Sequence, residues 1–344
     1  MIIVEKSKLY LVFNFTIFSL VALSLYFYHE GFFFGESLGY INSDSKYYIE
    51  LSQKVRAIGD IIIMSVANKN LIGQLVYYKL LGESRILFFI LNSLIIFYLF
   101  NKLYIILKNQ PYRDYILFLL LINPAIITSL SGPNKEITGF ISILFLISYI
   151  LDGKLKYLIF SLIFALFTRF ELIAVIIGFV IFRKCRRKTQ YILFTFLILL
   201  ISLIIYSSPD YGYRLLNDFQ PTRDGSLGLV SKMLELNQLG LYVVTFIPKL
   251  MLNFFGDVVA LNFFNLKGYS VFIYISQLLY IYLIFIILKT KKIILRNPFF
   301  LFIFIYSLMF TIPAFIQHRY FLPIYPMLIF LAFYKSNICI NNKV

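Results

Sequence analysis

From residue 86 to residue 107 the chain carries a single charged side chain, Lys102, and comparable apolar runs recur down its length. In lipid such a run must pair every backbone N–H and C=O within itself, so it folds as a helix. At 1.5 Å per residue, about 20 residues cross a hydrocarbon core of about 30 Å. A soluble domain of this size carries about a quarter charged residues. Here the charged share is 14%, the hydrophobic share 60% and the mean hydropathy +0.85. These runs predict an all-α, polytopic integral membrane protein. Residues 1–344 form a single membrane-embedded domain with about nine full spans, a re-entrant helical hairpin and two larger extracytoplasmic loops.

The net charge of +16 invites a nucleic-acid reading, and its distribution argues against one. Residues 183–188 hold five bases and no acid, and 289–296 hold four bases and no acid. The long stretch 29–85 instead balances six acids with six Lys and Arg. Excess Lys and Arg in short loops marks the cytoplasmic side of a membrane protein. On that rule both termini are cytoplasmic and the loops at about 29–85 and 208–269 are external. The apolar run 9–28 reads as a retained signal anchor, with no small-residue cleavage site after it. Cys185 and Cys339 both fall on the cytoplasmic side, so no disulfide is expected.

Between these loops the predicted spans are 86–107, 115–131 (interrupted at Asn123-Pro124), 137–151, 191–207, 270–288, 298–315 and 321–334. Residues 157–182 begin and end beside basic loops, and Thr168-Arg169-Phe170-Glu171 splits them. The arms 157–167 and 172–182 are each about 16 Å long as helices, roughly half the core. A re-entrant pair of half-helices follows, with Arg169 and Glu171 at a tip inside the membrane. Residues 241–264 are apolar but interrupted by Pro248, Lys249, Asn253, Asp257 and Asn262. They read as an amphipathic helix lying in the outer interface.

On this topology the ionisable residues outside the basic loops share the external side. Asp44 lies in the first loop, Lys135 and Glu136 at the turn after Pro133, and Arg169 and Glu171 at the hairpin tip. Arg214 and Arg223 lie in the second loop, and His318 and Arg319 in the last turn. Each has a plainer reading: a helix start for Lys135 and Glu136, a mutual ion pair for Arg169 and Glu171, solvated loop charges for Asp44, Arg214 and Arg223, interfacial snorkelling for Arg319, and a neighbour of function rather than its agent for His318. Gathered on one face, they suit a phosphate-bearing ligand. Arginine forks bind phosphate bidentately, and a carboxylate removes a proton from an attacking hydroxyl. No phosphate-binding nucleotide fingerprint is present. With two distant histidines and two cytoplasmic cysteines, no metal site is expected. No cofactor is expected either, and dependence on a divalent metal is left open.

Asp44 followed by Tyr47-Tyr48 resembles the D-x-x-Y pattern of membrane-embedded glycosyltransferases of the GT-C type. Asn123-Pro124, Gly132-Pro133-Asn134-Lys135-Glu136, Arg169-x-Glu171 and Arg319-Tyr320-x-x-Pro323 resemble elements of those enzymes and of O-antigen and capsule polymerases. The resemblance implies that Asp44 is the catalytic base. Arg169, Arg214 and Arg319 would hold a lipid-linked phosphate, with Lys135, Glu136, Glu171, Arg223 and His318 as further substrate-binding candidates. Many GT-C enzymes carry a paired acidic motif and a soluble C-terminal domain; this chain has neither, which turns the expectation towards a polymerase-like enzyme. The implied activity is transfer of a sugar or oligosaccharide from a polyprenyl-phosphate or -diphosphate carrier to an external hydroxyl, in surface polysaccharide assembly at the bacterial inner membrane. Its partners would be the lipid-linked donor and acceptor, membrane lipid and other polysaccharide-assembly membrane proteins, and not nucleic acid. A single-sugar transferase, a transporter or flippase of lipid-linked sugars, and a noncatalytic assembly subunit are the alternatives.

Overall fold

The computed structural model describes residues 15–16, 18–23, 43–55, 72–130, 132–207, 242–259, 269–290, 297–311 and 318–335. They are helices and the turns between them, with no strand among the described residues. In chain order the helices are α1 (Ser43–Lys54), α2 (Ile72–Leu80), α3 (Arg85–Ile106), α4 (Arg113–Ile122), α5 (Pro124–Ser129) and α6 (Lys135–Asp152). Then come α7 (Leu155–Thr168), α8 (Phe170–Lys184), α9 (Arg187–Ser207), α10 (Tyr242–Val259), α11 (Tyr269–Lys289) and α12 (Pro298–Phe310). A 3-10 turn, His318–Ile324, leads into α13 (Tyr325–Phe333). Among the described residues, α3 alone is both long and apolar enough to cross a membrane unaided.

The breaks have local causes. Pro124 lacks an N–H and disfavours helix at the residue before it, so Asn123 is extended (φ −69°, ψ 112°). The same Asn123 caps α5, its Oδ1 accepting from the Ala125 N–H at 3.0 Å and from Ser276 Oγ of α11 at 2.8 Å. Gly153 closes α6 in the left-handed region (φ 73°) and turns the chain directly into α7. α7 then runs back along α6. Ser142 Oγ donates to the Ser161 carbonyl at 2.8 Å, and Phe145 stacks on Phe160 and Phe164. Small hydroxylated residues at this seam let the two backbones approach closely.

The α7–α8 hairpin corrects the half-depth expectation. Its arms are 14 and 15 residues long. Thr168 at the tip sits 3.1 Å from Thr138, one turn inside the start of α6. At the other end Arg183 lies 5.9 Å from the Tyr149 ring, near the end of α6. The hairpin therefore matches α6 for nearly its whole length. Arg169, extended at φ −161° and ψ 143°, stands level with the first turn of α6 rather than halfway down. The arms are longer than the apolar count suggested because Thr168, Phe170 and Glu171 at the tip, and Leu155, Lys156, Arg183 and Lys184 at the far ends, are themselves helical.

At the centre lies α6, buried from Lys135 to Ser148. α12 and α13 are also largely buried, and Tyr325 Oη donates to the Leu119 carbonyl at 2.8 Å, tying α13 to α4. Around them the outer helices turn apolar side chains outward. Leu94 and Ile105 of α3, Ile192 and Phe196 of α9, and Leu278 and Phe285 of α11 are each more than half exposed. Polar side chains go inward: Gln74, Asn92, Ser142, Ser161, Ser276 and Gln277 are fully buried.

Within the stretch 241–264, residues 242–259 form α10, and two of its polar side chains face inward. Thr245 and Lys249 are buried, with Lys249 Nζ donating to the Thr311 carbonyl at 3.3 Å, while Val244, Ile247 and Met251 are exposed. An interfacial helix would point its lysine to water. Here α10 packs against α9, α11 and the 3-10 turn. Two helices within 29–85 also pack into the body, α1 on α2 and α2 on α7.

Among the described residues, the basic residues of the loops after α3 and α6 gather at one end. Lys102 and Lys154 reach Asp152 at 3.8 and 3.1 Å, and Arg113 lies 4.2 Å from the Tyr104 ring. Gln110 exchanges hydrogen bonds with the backbone of Lys335 at 3.2 and 3.1 Å. The α6 start and the hairpin tip are at the opposite end.

Candidate functional site

The first residues of α6 are set by a tight turn. Pro133 cannot donate, and Asn134 caps the helix, its Oδ1 accepting from the Glu136 N–H at 2.9 Å. This starts the helix with Lys135 and Glu136 side by side, both buried, against the α7–α8 tip. Gly139, one turn on, makes close packing possible: a methyl group there would meet Pro323 Cγ at 3.0 Å and Thr168 Cγ2 at 3.2 Å. The 3-10 turn and the hairpin tip therefore both seat on the first two turns of α6.

Between them is a small cavity of about 10 Å³, room for about one water molecule, open on one side. Lys135, Glu136, Thr168, Arg169, Leu172, Tyr306, Phe310 and Pro323 line it. Three residues singled out from sequence, Lys135, Glu136 and Arg169, thus share one enclosure. Arg169 lies over the Phe310 ring, 5.9 Å from its centroid, and Phe310 stacks on Tyr306 at 4.1 Å. The floor is polar as well. Thr138 Oγ1 is 3.1 Å from Thr168 Oγ1, 3.0 Å from the Lys135 carbonyl and 3.4 Å from Gln74 Oε1 of α2.

Glu136 is the unusual member. It is 4% exposed, and neither carboxylate oxygen has a hydrogen-bond partner among the described residues. Glu171 is half-buried in the first turn of α8 and does not line the cavity. Asp44 lies in the first turn of α1, and its side chain is outside the described residues. That turn stands close to the α6 start: a methyl group at Gly132 would touch Ser45 Cβ and Oγ at 3.1 Å. His318 and Arg319 open the 3-10 turn whose Pro323 lines the cavity; their side chains, and all of Arg214 and Arg223, lie outside the described residues.

Sequence reasoning missed Tyr306 and Phe310, because aromatic residues inside an apolar helix look like core. Lys249 was read as an interruption only, although a lysine in an apolar stretch is itself a signal of an inward contact. Among the described residues, no three His, Cys, Asp or Glu side chains come together as a metal centre would need.

With this geometry in place, comparison with protein-family models, curated proteins and solved structures gives no match.

Proposed function

We propose that the chain is a polytopic protein of the bacterial cytoplasmic membrane. In this reading it transfers a sugar or oligosaccharide from a polyprenyl-phosphate or -diphosphate carrier to a hydroxyl acceptor on the extracytoplasmic face. The membrane part rests on the inverted polarity of the bundle. Soluble monomers rarely expose contiguous apolar patches beyond a few hundred Å². The outer faces of α3, α9 and α11 are apolar stripes, while amides and hydroxyls are kept inside. Lipid is the solvent that suits such faces. The lysines and arginines around Asp152 and Lys335 mark the cytoplasmic end by the charge bias of loops.

The function part rests on one observation, the cavity at the opposite end that holds Arg169 and Lys135 beside a buried carboxylate. The two cations suit an anionic phosphate, and the guanidinium provides a planar fork for two of its oxygens. The carboxylate supplies the acceptor that a hydroxyl nucleophile needs. A phosphate-bearing donor presented at the level of a helix end in a membrane is a lipid-linked one. The 3-10 turn that begins at His318 and Arg319 lines the same cavity through Pro323, and the α1 turn carrying Asp44 packs at Gly132, just before α6. The resemblance to GT-C enzymes and repeat-unit polymerases supports the same chemistry. A carrier-linked sugar flippase is the competing reading.

Transfer by the purified chain in lipid nanodiscs, supplied with lipid-linked saccharides from its own cells, is the test. The proposal expects a new glycosidic bond and release of the free carrier lipid. Donor that crosses the bilayer chemically unchanged supports the flippase instead, and donor that neither reacts nor moves overturns both.

A further inference from the structure

Among the described side chains, Glu136 is the carboxylate that lines the cavity. From sequence it stood among the substrate-binding residues, yet an ionised carboxylate is an acceptor only and cannot hold a phosphate oxygen. Its neighbours on the lining include Lys135 from α6, Arg169 from the hairpin tip and Tyr306 from α12. Burial without a hydrogen-bond partner is strongly unfavourable for a carboxylate, and a glutamine of the same shape would avoid the charge. A group kept in that state is poised for a donor that arrives with the ligand.

We infer that Glu136 is the catalytic base, and that it receives the proton of the acceptor sugar's hydroxyl. This assignment rests on the transferase reading. In the step, the acceptor oxygen bonds to the donor's anomeric carbon as that carbon's bond to the carrier phosphate oxygen breaks. The electron pair leaves with the phosphate, towards Arg169 and Lys135. The hydroxyl proton ends on Glu136 and passes afterwards to water.

Glu136→Gln separates this role from a structural one, because it keeps the shape and removes the base. In the nanodisc assay its kcat is expected to fall about 10²–10⁴-fold, the share a positioned base contributes. KM for the lipid-linked donor should stay within about threefold, since donor binding does not use the carboxylate. Thermal stability should hold or rise, because a buried unpartnered charge has gone. Glu136→Ala opens room for a small carboxylate, so added formate should restore part of its turnover. Glu136→Gln with turnover within about threefold of wild type overturns the assignment. So does Glu136→Ala that formate does not rescue, when Asp44→Asn is the inactive variant. A wild-type chain that transfers nothing removes the transferase reading itself, and this assignment with it.

Discussion

Replacing Gly73 with alanine is expected to unseat α2 and to cost about 3 kcal/mol of stability or more. At Gly73 the α2 backbone lies directly on α7. An added Cβ would sit 2.0 Å from the Leu166 carbonyl oxygen and 2.9 Å from Phe167 Cα. Both are backbone atoms inside a helix, so no rotamer change relieves the overlap. The consequence should extend to the cavity. Gln74, the next residue, meets Thr138 beneath the cavity, and Tyr77 stacks on Phe167 and bonds Asn92 of α3 at 3.1 Å. A displaced α2 withdraws all three contacts. Thermal unfolding in detergent, followed by the fraction of monodisperse protein, reads the effect. A Gly73→Ala protein with unchanged melting behaviour would mean that α2 does not pack on α7 in this way.

The largest effect on activity outside the proposed base is expected at Arg169. Lysine keeps the charge and loses the planar fork, so Arg169→Lys should fold normally and lose about 10²–10³-fold in turnover, the range seen for a single charge-stabilising donor. The alternative is that Arg169 serves only to balance Glu171, two residues away in the first turn of α8. In that case Arg169→Ala lowers the yield of folded protein, because the glutamate is left half-buried and uncompensated. The double variant Arg169→Ala/Glu171→Ala would then restore both yield and activity. Full activity in that double variant is the result that removes the phosphate clamp.

Much of the bundle was legible from particular residues. Asn123-Pro124 predicted a break, and one occurs there, where Pro124 lacks an N–H and the Asn123 amide caps α5. The interruption at 168–171 predicted a paired hairpin with Arg169 at its tip, and the chain does reverse at that residue. The depth of the hairpin was not legible. It is set by serines and threonines on the facing sides of α6 and α7, whose hydrogen bonds across the seam leave no trace in apolar periodicity. Nor was the inward face of α10, since one lysine in a run of apolar residues reads alike whether it meets water or the Thr311 carbonyl. Residues 29–85 read as an external loop with amphipathic stretches; that α2 packs into the body through Gly73, Gln74 and Tyr77 was not legible, since the close approach at Gly73 leaves no sequence signal. Of the site, the charged members were found because charge in an apolar chain stands out. Tyr306, Phe310 and Pro323 were brought beside them from about 140 to 190 residues away in sequence, by the packing of α12 and the 3-10 turn on α6 and α8.

The whole reading depends on the cavity and the basic residues facing opposite sides of a membrane. Single cysteines in a chain freed of Cys185 and Cys339 can be probed on intact cells with a membrane-impermeant thiol reagent. Tyr47→Cys and Gln53→Cys lie on exposed positions of α1, the helix whose first turn stands beside the α6 start. Lys108→Cys, Lys154→Cys and Lys188→Cys lie on exposed positions of the basic loops. The first pair should label on intact cells, and the other three only after the membrane is permeabilised. Labelling of the three basic-loop positions from outside, with the α1 positions protected, would place the cavity in the cytoplasm and contradict an extracytoplasmic transferase.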